Sequence, residues 1–303
     1  MTALPTPLEP APPTLGGGSL FLKREDVHEL GAFKWRGALP VLAAYREGGA
    51  ATVVTASTGN HGAATAWAAA SLGLDAVVYA PEGAAQAKLD LIGGLGAEVR
   101  LVGADLDTAK EAGRRHAARE ELPFFEDGAE TAQYEGYGAI ADEMLDQLDT
   151  PPAAVVVPVG NGALLGGIGL RLAGRAPETL RIGVAAKEAP VMAESWHAGA
   201  VVTSERSATF ADGLAVRVAI PLAVDVLGEV ASRMLLVSER EIAHAVGAYA
   251  RAGIRVEGAA GAALAALPQL ADVDGVVVLV VTGRNIDDEL HERACTRPES
   301  FPD

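Results

Sequence analysis

The sequence is poor in cysteine, in basic residues and in long hydrophobic runs, and each shortage excludes a class of protein. Its one cysteine, Cys295, allows neither an intrachain disulfide framework nor a thiolate metal cluster. Lys and Arg number 24 against 40 Asp and Glu, a net charge of −16, which disfavours a nucleic-acid-binding protein because such proteins need a basic face. The apolar run 276–281 is too short to cross a bilayer and instead predicts a buried strand.

The N-terminal segment and the overall composition indicate a cytoplasmic protein. The chain is rich in proline and glycine through Gly18, and it shows no basic segment followed by an apolar run, so we expect no signal peptide. Half of the 303 residues are hydrophobic, enough for a substantial core in one large domain or two of ordinary size. The acidic surplus favours solubility, so we expect neither nucleic acid nor a membrane as a partner, and an anionic ligand would need a local positive pocket.

Strands and helices alternate along most of the chain, a pattern typical of an α/β protein with parallel sheets covered by helices. The predicted strands occupy residues 20–23, 51–56, 75–80, 97–102, 153–157, 181–186, 234–237 and 276–281. The predicted helices occupy residues 33–46, 63–72, 85–95, 105–119, 131–148, 239–252 and 259–267. We expect a small domain at 50–130, with a further short strand at Phe124 and Phe125. Asp127 and Gly128 then return the chain to a large domain made of 1–49 and 131–303.

Three polar or glycine-rich segments follow strands, where ligands of open α/β sheets bind. Residues 57–62, Ser-Thr-Gly-Asn-His-Gly, offer hydroxyl and N–H groups to a carboxylate, although Ser, Thr and Asn also serve as ordinary helix caps. Residues 160–167 form a glycine-rich turn that lets N–H groups approach a phosphate, although a tight strand-to-helix turn has the same composition. Its glycines miss the dinucleotide-binding spacing by one residue. Residues 282–285, Thr-Gly-Arg-Asn, fit either a binding site or a turn that ends a strand.

Lys34 is the candidate nucleophile of the chain. It stands between Phe33 and Trp35, with small residues before Phe33 and beyond Arg36. A lysine amine that is partly buried among apolar groups loses hydration and becomes a nucleophile that can hold a carbonyl cofactor as a Schiff base. Most lysines are solvated surface charges, so the indication depends on the other three segments.

Taken together, these segments resemble the fold-type II, pyridoxal-phosphate-dependent family of threonine and serine dehydratases and serine racemases. The matching segments are 23–26, 33–38, 57–62, 160–164, 210–216 and 282–285. They occur in the order of the family and cover nearly the whole chain. The Lys-x-Arg-Gly-Ala and Ala-Asp-Gly-Leu-Ala-Val pieces point to the dehydratase branch rather than to cysteine synthases. The resemblance implies a tryptophan-synthase-β-like fold, with two open, twisted, mostly parallel sheets covered by helices.

The resemblance also implies a role for each candidate residue. Lys34 would carry pyridoxal 5′-phosphate and shuttle the Cα proton of a small amino-acid substrate, and Phe33 would pack against the cofactor ring. Asn60 would contact the ring oxygen and Thr282 the pyridine nitrogen. The residues expected around the phosphate are Gly160, Asn161, Gly162, Ala163 and Leu164. The residues expected to hold the substrate carboxylate are Ser57, Thr58, Gly59, Asn60 and His61.

The activity that the resemblance implies is that of an L-threonine/L-serine ammonia-lyase, working as a homodimer. It would eliminate the β-hydroxyl of the substrate and give a 2-oxo acid and ammonia. The neutral hydroxyl of Thr282 at the pyridine nitrogen suits prompt loss of the substrate hydroxyl. The enzymatic alternatives are an amino-acid racemase, a β-replacement synthase, and a dehydratase of another 3-hydroxy amino acid such as 3-hydroxyaspartate or an aryl-serine. A catalytically inactive amino-acid sensor is the alternative from another class, and the intact Lys34 argues against it.

The sequence departs from the family pattern at several positions. Ala32 stands where the family often has serine, and Asn161 and Ala163 interrupt the usual glycine run. Thr58 occupies the place where racemases carry a proton-carrying serine, so we expect racemisation to be minor. The chain ends at Asp303 without a regulatory domain, so we expect no feedback inhibition of the biosynthetic type.

The metal-binding position of the family also differs. Many relatives bind a divalent cation through an acidic residue after the strand that corresponds to 181–186, with further ligands a few residues on. The matching residue here is Lys187, followed by Glu188, Val191 and Ala193. A hard cation needs several oxygen ligands, and an ammonium repels it. We therefore expect no metal site.

Overall fold

The structure, a computed structural model, describes residues 5–204 and 207–303. Its strands are β1 (Leu8–Pro10), β2 (Leu20–Arg24), β3 (Thr52–Ala56), β4 (Asp75–Ala80), β5 (Glu98–Leu101), β6 (Ala154–Pro158), β7 (Leu180–Ala186), β8 (Arg233–Val237) and β9 (Val277–Val281). Its α-helices are α1 (Trp35–Glu47), α2 (Asn60–Leu72), α3 (Gln86–Gly94), α4 (Leu106–Arg119), α5 (Thr131–Gln147), α6 (Ala163–Arg175), α7 (Val191–Ala198), α8 (Pro221–Val230), α9 (Glu239–Arg251), α10 (Gly258–Ala265) and α11 (Asp288–Thr296). Among the residues described, no helix is both long and apolar enough to span a membrane.

The larger sheet has six strands in the order β1-β2-β9-β6-β7-β8. β1 is antiparallel to β2, and every other neighbouring pair is parallel. The two central strands, β9 and β6, are buried along their whole length. Helices usually cover both faces of a parallel sheet, so its central strands carry continuous aliphatic runs rather than an alternation of apolar and polar residues.

The smaller sheet has three parallel strands in the order β3-β4-β5. Phe124 adds a single parallel bridge to Val54, in the place where the sequence predicts a further short strand. One face of the sheet packs on α4 through a cluster that includes Val77 and Tyr79. Two mostly parallel sheets with intervening helices confirm the α/β class expected from the sequence.

A buried ion pair joins the N-terminal segment and β2 to α5. Lys23 is fully buried, and its Nζ lies 2.6 Å from Glu143 Oε2. The same ammonium donates to the carbonyl oxygen of Thr6 at 2.7 Å and to Gln147 Oε1 at 3.0 Å. A buried charge is costly unless it is paired and hydrogen-bonded. These contacts therefore hold the residues around Thr6 against β2.

The chain forms two compact units. One contains the residues up to Phe33 together with Tyr137–Asp303, and the other is Lys34–Gly136. The second unit is larger than the small domain expected at 50–130, because α1 packs on α2 and belongs to the same unit. The boundary after Gly136 falls within α5.

Candidate active site

Lys34 lies immediately before α1, at its N-cap position. Its Nζ donates to Asp127 Oδ2 at 2.6 Å, and its side chain is only 16% exposed. The sequence predicts a lysine amine in a partly apolar setting, and the structure adds the carboxylate of Asp127, which the sequence pattern places only in a turn between the two domains. The amine is therefore held by an ion pair at the end of its side chain.

The groups around Asp127 keep its carboxyl group ionised. Gln133 Nε2 donates to its Oδ1 at 2.7 Å, while Lys34 occupies its Oδ2. Burial disfavours the charged carboxyl, but the Lys34 charge and the hydrogen bonds from Lys34 and Gln133 outweigh burial and hold the pKa of Asp127 well below its usual range. Asp127 is thus a fixed negative charge beside the candidate nucleophile.

His61 is buried beneath the same cluster. Its ring packs against Phe125 with centroids 4.5 Å apart, and its Nε2 lies 3.0 Å from Thr55 Oγ1. The Thr55 hydroxyl donates its own hydrogen to the Phe125 carbonyl at 2.7 Å, so we assign the imidazole proton to Nε2, donating to Thr55. Nδ1 faces Asp127 Oδ1 at 3.7 Å. Burial lowers the pKa of His61, so the ring is neutral near pH 7.

The segment 57–60 lies at the N-terminus of α2, and the helix begins at Asn60 rather than at Ala63 as predicted. Ser57 Oγ accepts a hydrogen bond from the N–H of Gly59 at 3.1 Å, which folds the segment into a tight turn. The first N–H groups of a helix have no acceptor within it, and the helix dipole favours an anion there. No acidic residue occupies the first turn of α2. This end of α2 can accept a carboxylate.

The glycine-rich turn 160–162 leads into the N-terminus of α6 in the other unit. A Cβ atom on Gly160 would collide with the carbonyl oxygen of Gly213, and Gly162 has φ +90°, a conformation that L side chains rarely adopt. Asn161 Oδ1 accepts a hydrogen bond from the N–H of Ala163 at 3.1 Å. The first turn of α6 contains no acidic residue. The turn therefore presents main-chain N–H groups at a helix N-terminus, the donor set that fits a phosphate.

Thr282, which follows β9, is buried and hydrogen-bonded to a residue that the sequence analysis did not single out. Its Oγ1 donates to Glu257 Oε1 at 2.9 Å, and Glu257 is itself only 2% exposed. The N–H of Glu257 donates to the carbonyl oxygen of Gly283 at 3.0 Å. The Thr282 hydroxyl, which is expected to contact the cofactor ring, is therefore hydrogen-bonded to the Glu257 carboxyl group.

Phe33 is fixed in the same unit as Thr282. Its N–H donates to the carbonyl oxygen of Thr282 at 3.1 Å, and its ring packs against Tyr137 with centroids 5.1 Å apart. The structure therefore brings Phe33 and Thr282 together in one unit, and Lys34, His61 and Asp127 together in the other. The expected ring contact of Phe33 with a cofactor stays a prediction.

The resemblance matches Lys187 to the metal-binding position of the family. Lys187 is 48% exposed, and its Nζ lies 4.0 Å from Glu241 Oε2. Glu241 also accepts a hydrogen bond from the N–H of Ser238, where it closes the capping box of α9. No group of three or more His, Cys, Asp or Glu residues able to hold a metal ion occurs in the described parts of the chain.

The chain is similar to known proteins along most of its length. The sequence profile described as "Pyridoxal-phosphate dependent enzyme" matches residues 1–283. The L-threonine ammonia-lyase of Thermotoga maritima is 34% identical over 280 residues, which cover 91% of this chain and 70% of that protein.

Solved structures of two further proteins share the fold. The processed form of threonine deaminase isoform 2 from Solanum lycopersicum superimposes with a TM-score of 0.92 at 29% identity, covering 98% of this chain and 89% of that chain. Serine racemase from Dictyostelium discoideum superimposes with a TM-score of 0.85 at 27% identity, covering 94% of each chain. Since a deaminase and a racemase are both similar to this chain, the fold by itself does not decide between the two reactions.

Proposed function

Because the chain belongs to the family of pyridoxal-phosphate dependent enzymes, we propose that it is an ammonia-lyase that converts L-threonine or L-serine to a 2-oxo acid and ammonia. The observation that carries the proposal is the 34% identity to an L-threonine ammonia-lyase over 91% of the chain. The candidate nucleophile of this chain, Lys34, is intact and partly buried.

The residues present fit pyridoxal phosphate. We propose that Lys34 is joined to the cofactor, that Phe33 and Asn60 contact its ring, and that Thr282 faces the ring nitrogen. The N–H groups of 160–164 would hold the phosphate, because glycine at Gly160 and Gly162 keeps the main chain clear of side chains there. When bound, the cofactor supplies an electron sink for the electron pair left at Cα.

The protein's own residues orient the substrate and move its proton. The N–H groups and hydroxyls of 57–60 would bind the substrate carboxylate at the start of α2. His61 would support this segment from beneath, because its Nε2 is already engaged by Thr55. Lys34 would take the Cα proton, and loss of the β-hydroxyl would follow. Lys34 thus acts as both the anchor and the base.

A substrate panel tests the proposal. L-threonine, L-serine, 3-hydroxyaspartate and an aryl-serine would each be added to the purified holoenzyme, with 2-oxo acid and ammonia measured together with the visible absorbance of the cofactor. We expect equal amounts of 2-oxobutyrate and ammonia from L-threonine. Absorbance changes without any product would support an amino-acid sensor, and strong preference for another substrate would replace the proposed one.

Racemase activity is the second candidate, because a serine racemase shares the fold. Racemisation needs a proton donor on the cofactor face opposite Lys34, and Thr58 is the residue at that position. Its β-methyl group restricts the hydroxyl, so we expect little D-serine from L-serine in deuterated water by chiral analysis. Thr58→Ser should raise the yield of deuterated D-serine. Substantial D-serine from the unchanged protein would favour the racemase.

Thr282 is proposed to keep the cofactor ring nitrogen unprotonated: with the cofactor bound, its hydroxyl would donate to that nitrogen the single hydrogen that Glu257 accepts here. Thr282→Asp should slow elimination and raise the share of racemised or transaminated product, because a protonated ring withdraws electrons from Cα more strongly. The new carboxyl would lie beside Glu257, and two adjacent carboxyls share a proton. The shift should therefore be larger when Glu257→Gln is added. An unchanged product ratio in both variants would show that residue 282 is not at the ring nitrogen.

We further propose that the enzyme is a cytoplasmic homodimer that also accepts L-serine. The family resemblance supports the dimer. Light scattering after size-exclusion chromatography tests the dimer, which a mass near 31.0 kDa, that of one chain, would contradict.

A further inference from the structure

We propose that Asp127 is a positioning residue, whose carboxylate binds the Lys34 ammonium whenever the amine is not joined to the cofactor. The proposal rests on the proposed role of Lys34. The two groups lie 2.6 Å apart, and their side chains are 16% and 26% exposed. Charge-assisted hydrogen bonds of this length are stronger than neutral ones, and partial burial reduces their screening by water.

The turn that contains Asp127 is built to present one carboxylate oxygen. Gln133 is fully buried, and its Oε1 accepts the N–H of Gly128 at 2.7 Å. This bond fixes the amide orientation, so the Gln133 nitrogen donates to Asp127 Oδ1. Tyr134 donates its hydroxyl to the Gly128 carbonyl at 2.8 Å. With Oδ1 held in this way, Oδ2 is the oxygen that receives Lys34.

The neighbouring titratable groups keep their charges near neutral pH. Asp127 is ionised, and the buried ring of His61 is neutral. Burial and the Asp127 charge raise the pKa of the Tyr134 hydroxyl, so it stays protonated. The charge of Lys110 on α4 also lowers the pKa of His61, and Lys110 is itself paired with Glu126. Lys34 is therefore the member of this cluster whose charge changes during the proposed reaction.

The ion pair has a consequence for the order of events. As the Cα–H bond breaks, its electron pair stays on Cα and the proton forms a new bond to Lys34 Nζ, which becomes an ammonium. Asp127 stabilises that positive charge at a fixed place. The proton then returns to Cα less readily. The electron pair at Cα more often forms a Cα=Cβ bond while the Cβ–O bond breaks and hydroxide leaves to solvent, so elimination becomes faster relative to proton return.

Chemical labelling of the full chain freed of cofactor tests the ion pair directly. Acetic anhydride in trace amounts acylates neutral amines, and peptide mapping gives the rate at each lysine, with the exposed Lys187 as an internal reference. Removing the Asp127 carboxylate releases the Lys34 amine from the ion pair that holds it, and a released amine reacts faster with the reagent. Labelling of Lys34 relative to Lys187 at pH 8 should therefore rise about tenfold in Asp127→Asn. Equal relative labelling in both proteins would overturn the proposal.

Two matched variants separate position from charge. Glu126→Gln removes the neighbouring carboxylate, which pairs with Lys110 and Arg114, and it should leave Lys34 labelling unchanged. Asp127→Glu keeps the charge and should restore slow labelling. If Asp127→Asn does not fold, the relative labelling of Lys34 and Lys187 in the unchanged protein tests the proposal instead. Its Lys34 should then be labelled about tenfold more slowly than Lys187 at pH 8, because the ion pair with Asp127 occupies the amine, and an equal or faster rate would overturn the proposal.

Deuterium exchange in the holoenzyme distinguishes the proposed role of Asp127 from a merely structural one. In deuterated water, Asp127→Asn should raise deuterium in recovered L-threonine per molecule of 2-oxobutyrate formed, because the proton returns to Cα more readily. An unchanged ratio, with the cofactor still mapped to Lys34, would overturn the inference and leave the proposed function standing. A cofactor mapped to another lysine would instead overturn the proposed role of Lys34.

Discussion

Replacing Lys34 by alanine is expected to lower kcat/KM by about 10³-fold or more, because the change removes the residue proposed as both covalent anchor and base. The fold should survive the change, since Lys34 stands just before α1 and its side chain is partly exposed. Activity would be followed as 2-oxobutyrate released from L-threonine at saturating cofactor. A variant within tenfold of the unchanged enzyme would contradict the assignment.

Borohydride reduction identifies the anchor independently of activity. Peptide mapping of the reduced holoenzyme should find the pyridoxyl group on Lys34 and not on Lys187. Lys187→Ala is the matched control, because this lysine is 48% exposed and its Nζ lies 4.0 Å from Glu241 Oε2, at the limit of an ion pair. It should keep both the activity and the label. A label on another lysine would place the catalytic centre elsewhere.

Replacing Gly160 by alanine is expected to weaken cofactor binding about tenfold or more. The new methyl group would collide with the main-chain oxygen of Gly213, so one of the two loops has to move. Forced displacements of this kind cost about 1–3 kcal/mol, and 1.4 kcal/mol is a factor of about ten in affinity. The displacement also turns the N–H groups away from the phosphate. Titration of the cofactor-free chain with pyridoxal phosphate, followed by absorbance, measures the effect.

Gly174→Ala is the matched control for Gly160→Ala. Gly174 lies in the last turn of α6, where an added methyl group meets no atom within 4 Å. Alanine is preferred over glycine within a helix by about 1 kcal/mol, so the melting temperature should rise while cofactor affinity stays unchanged. Cofactor affinity equal to that of the unchanged protein in Gly160→Ala would refute the role of the turn.

The sequence predicted the central strands well and the peripheral elements poorly. β4 has the predicted bounds, and β9 differs by one residue, because buried parallel strands are marked by unbroken aliphatic runs. β1 was missed because it ends in Pro10 at the edge of the sheet, where prolines obscure a strand pattern. α11 carried an available signal: the Asp287 side chain caps its first turn.

Partners in the candidate site were harder to predict than the motifs themselves. Asp127 lies 93 residues from Lys34, and Glu257 lies 25 residues before Thr282, so no local pattern joins either pair. An unused signal for Asp127 was the rule that ligands gather at the carboxyl ends of parallel strands, since Asp127 follows the bridge at Phe124. No comparable signal marks Glu257, because its pairing depends on how α10 packs beside β9.

The ammonium of Lys23 has a consequence for shortened forms of the protein. Removing the first ten residues would take away Thr6, one of its acceptors, together with β1, which covers the edge of β2. The remaining chain would bury the Lys23 ammonium with one acceptor fewer. It would also expose the unpaired main-chain N–H and C=O groups along the edge of β2. Such an edge pairs readily with a second copy. Trimming at this end therefore leads towards self-association rather than towards a smaller stable protein.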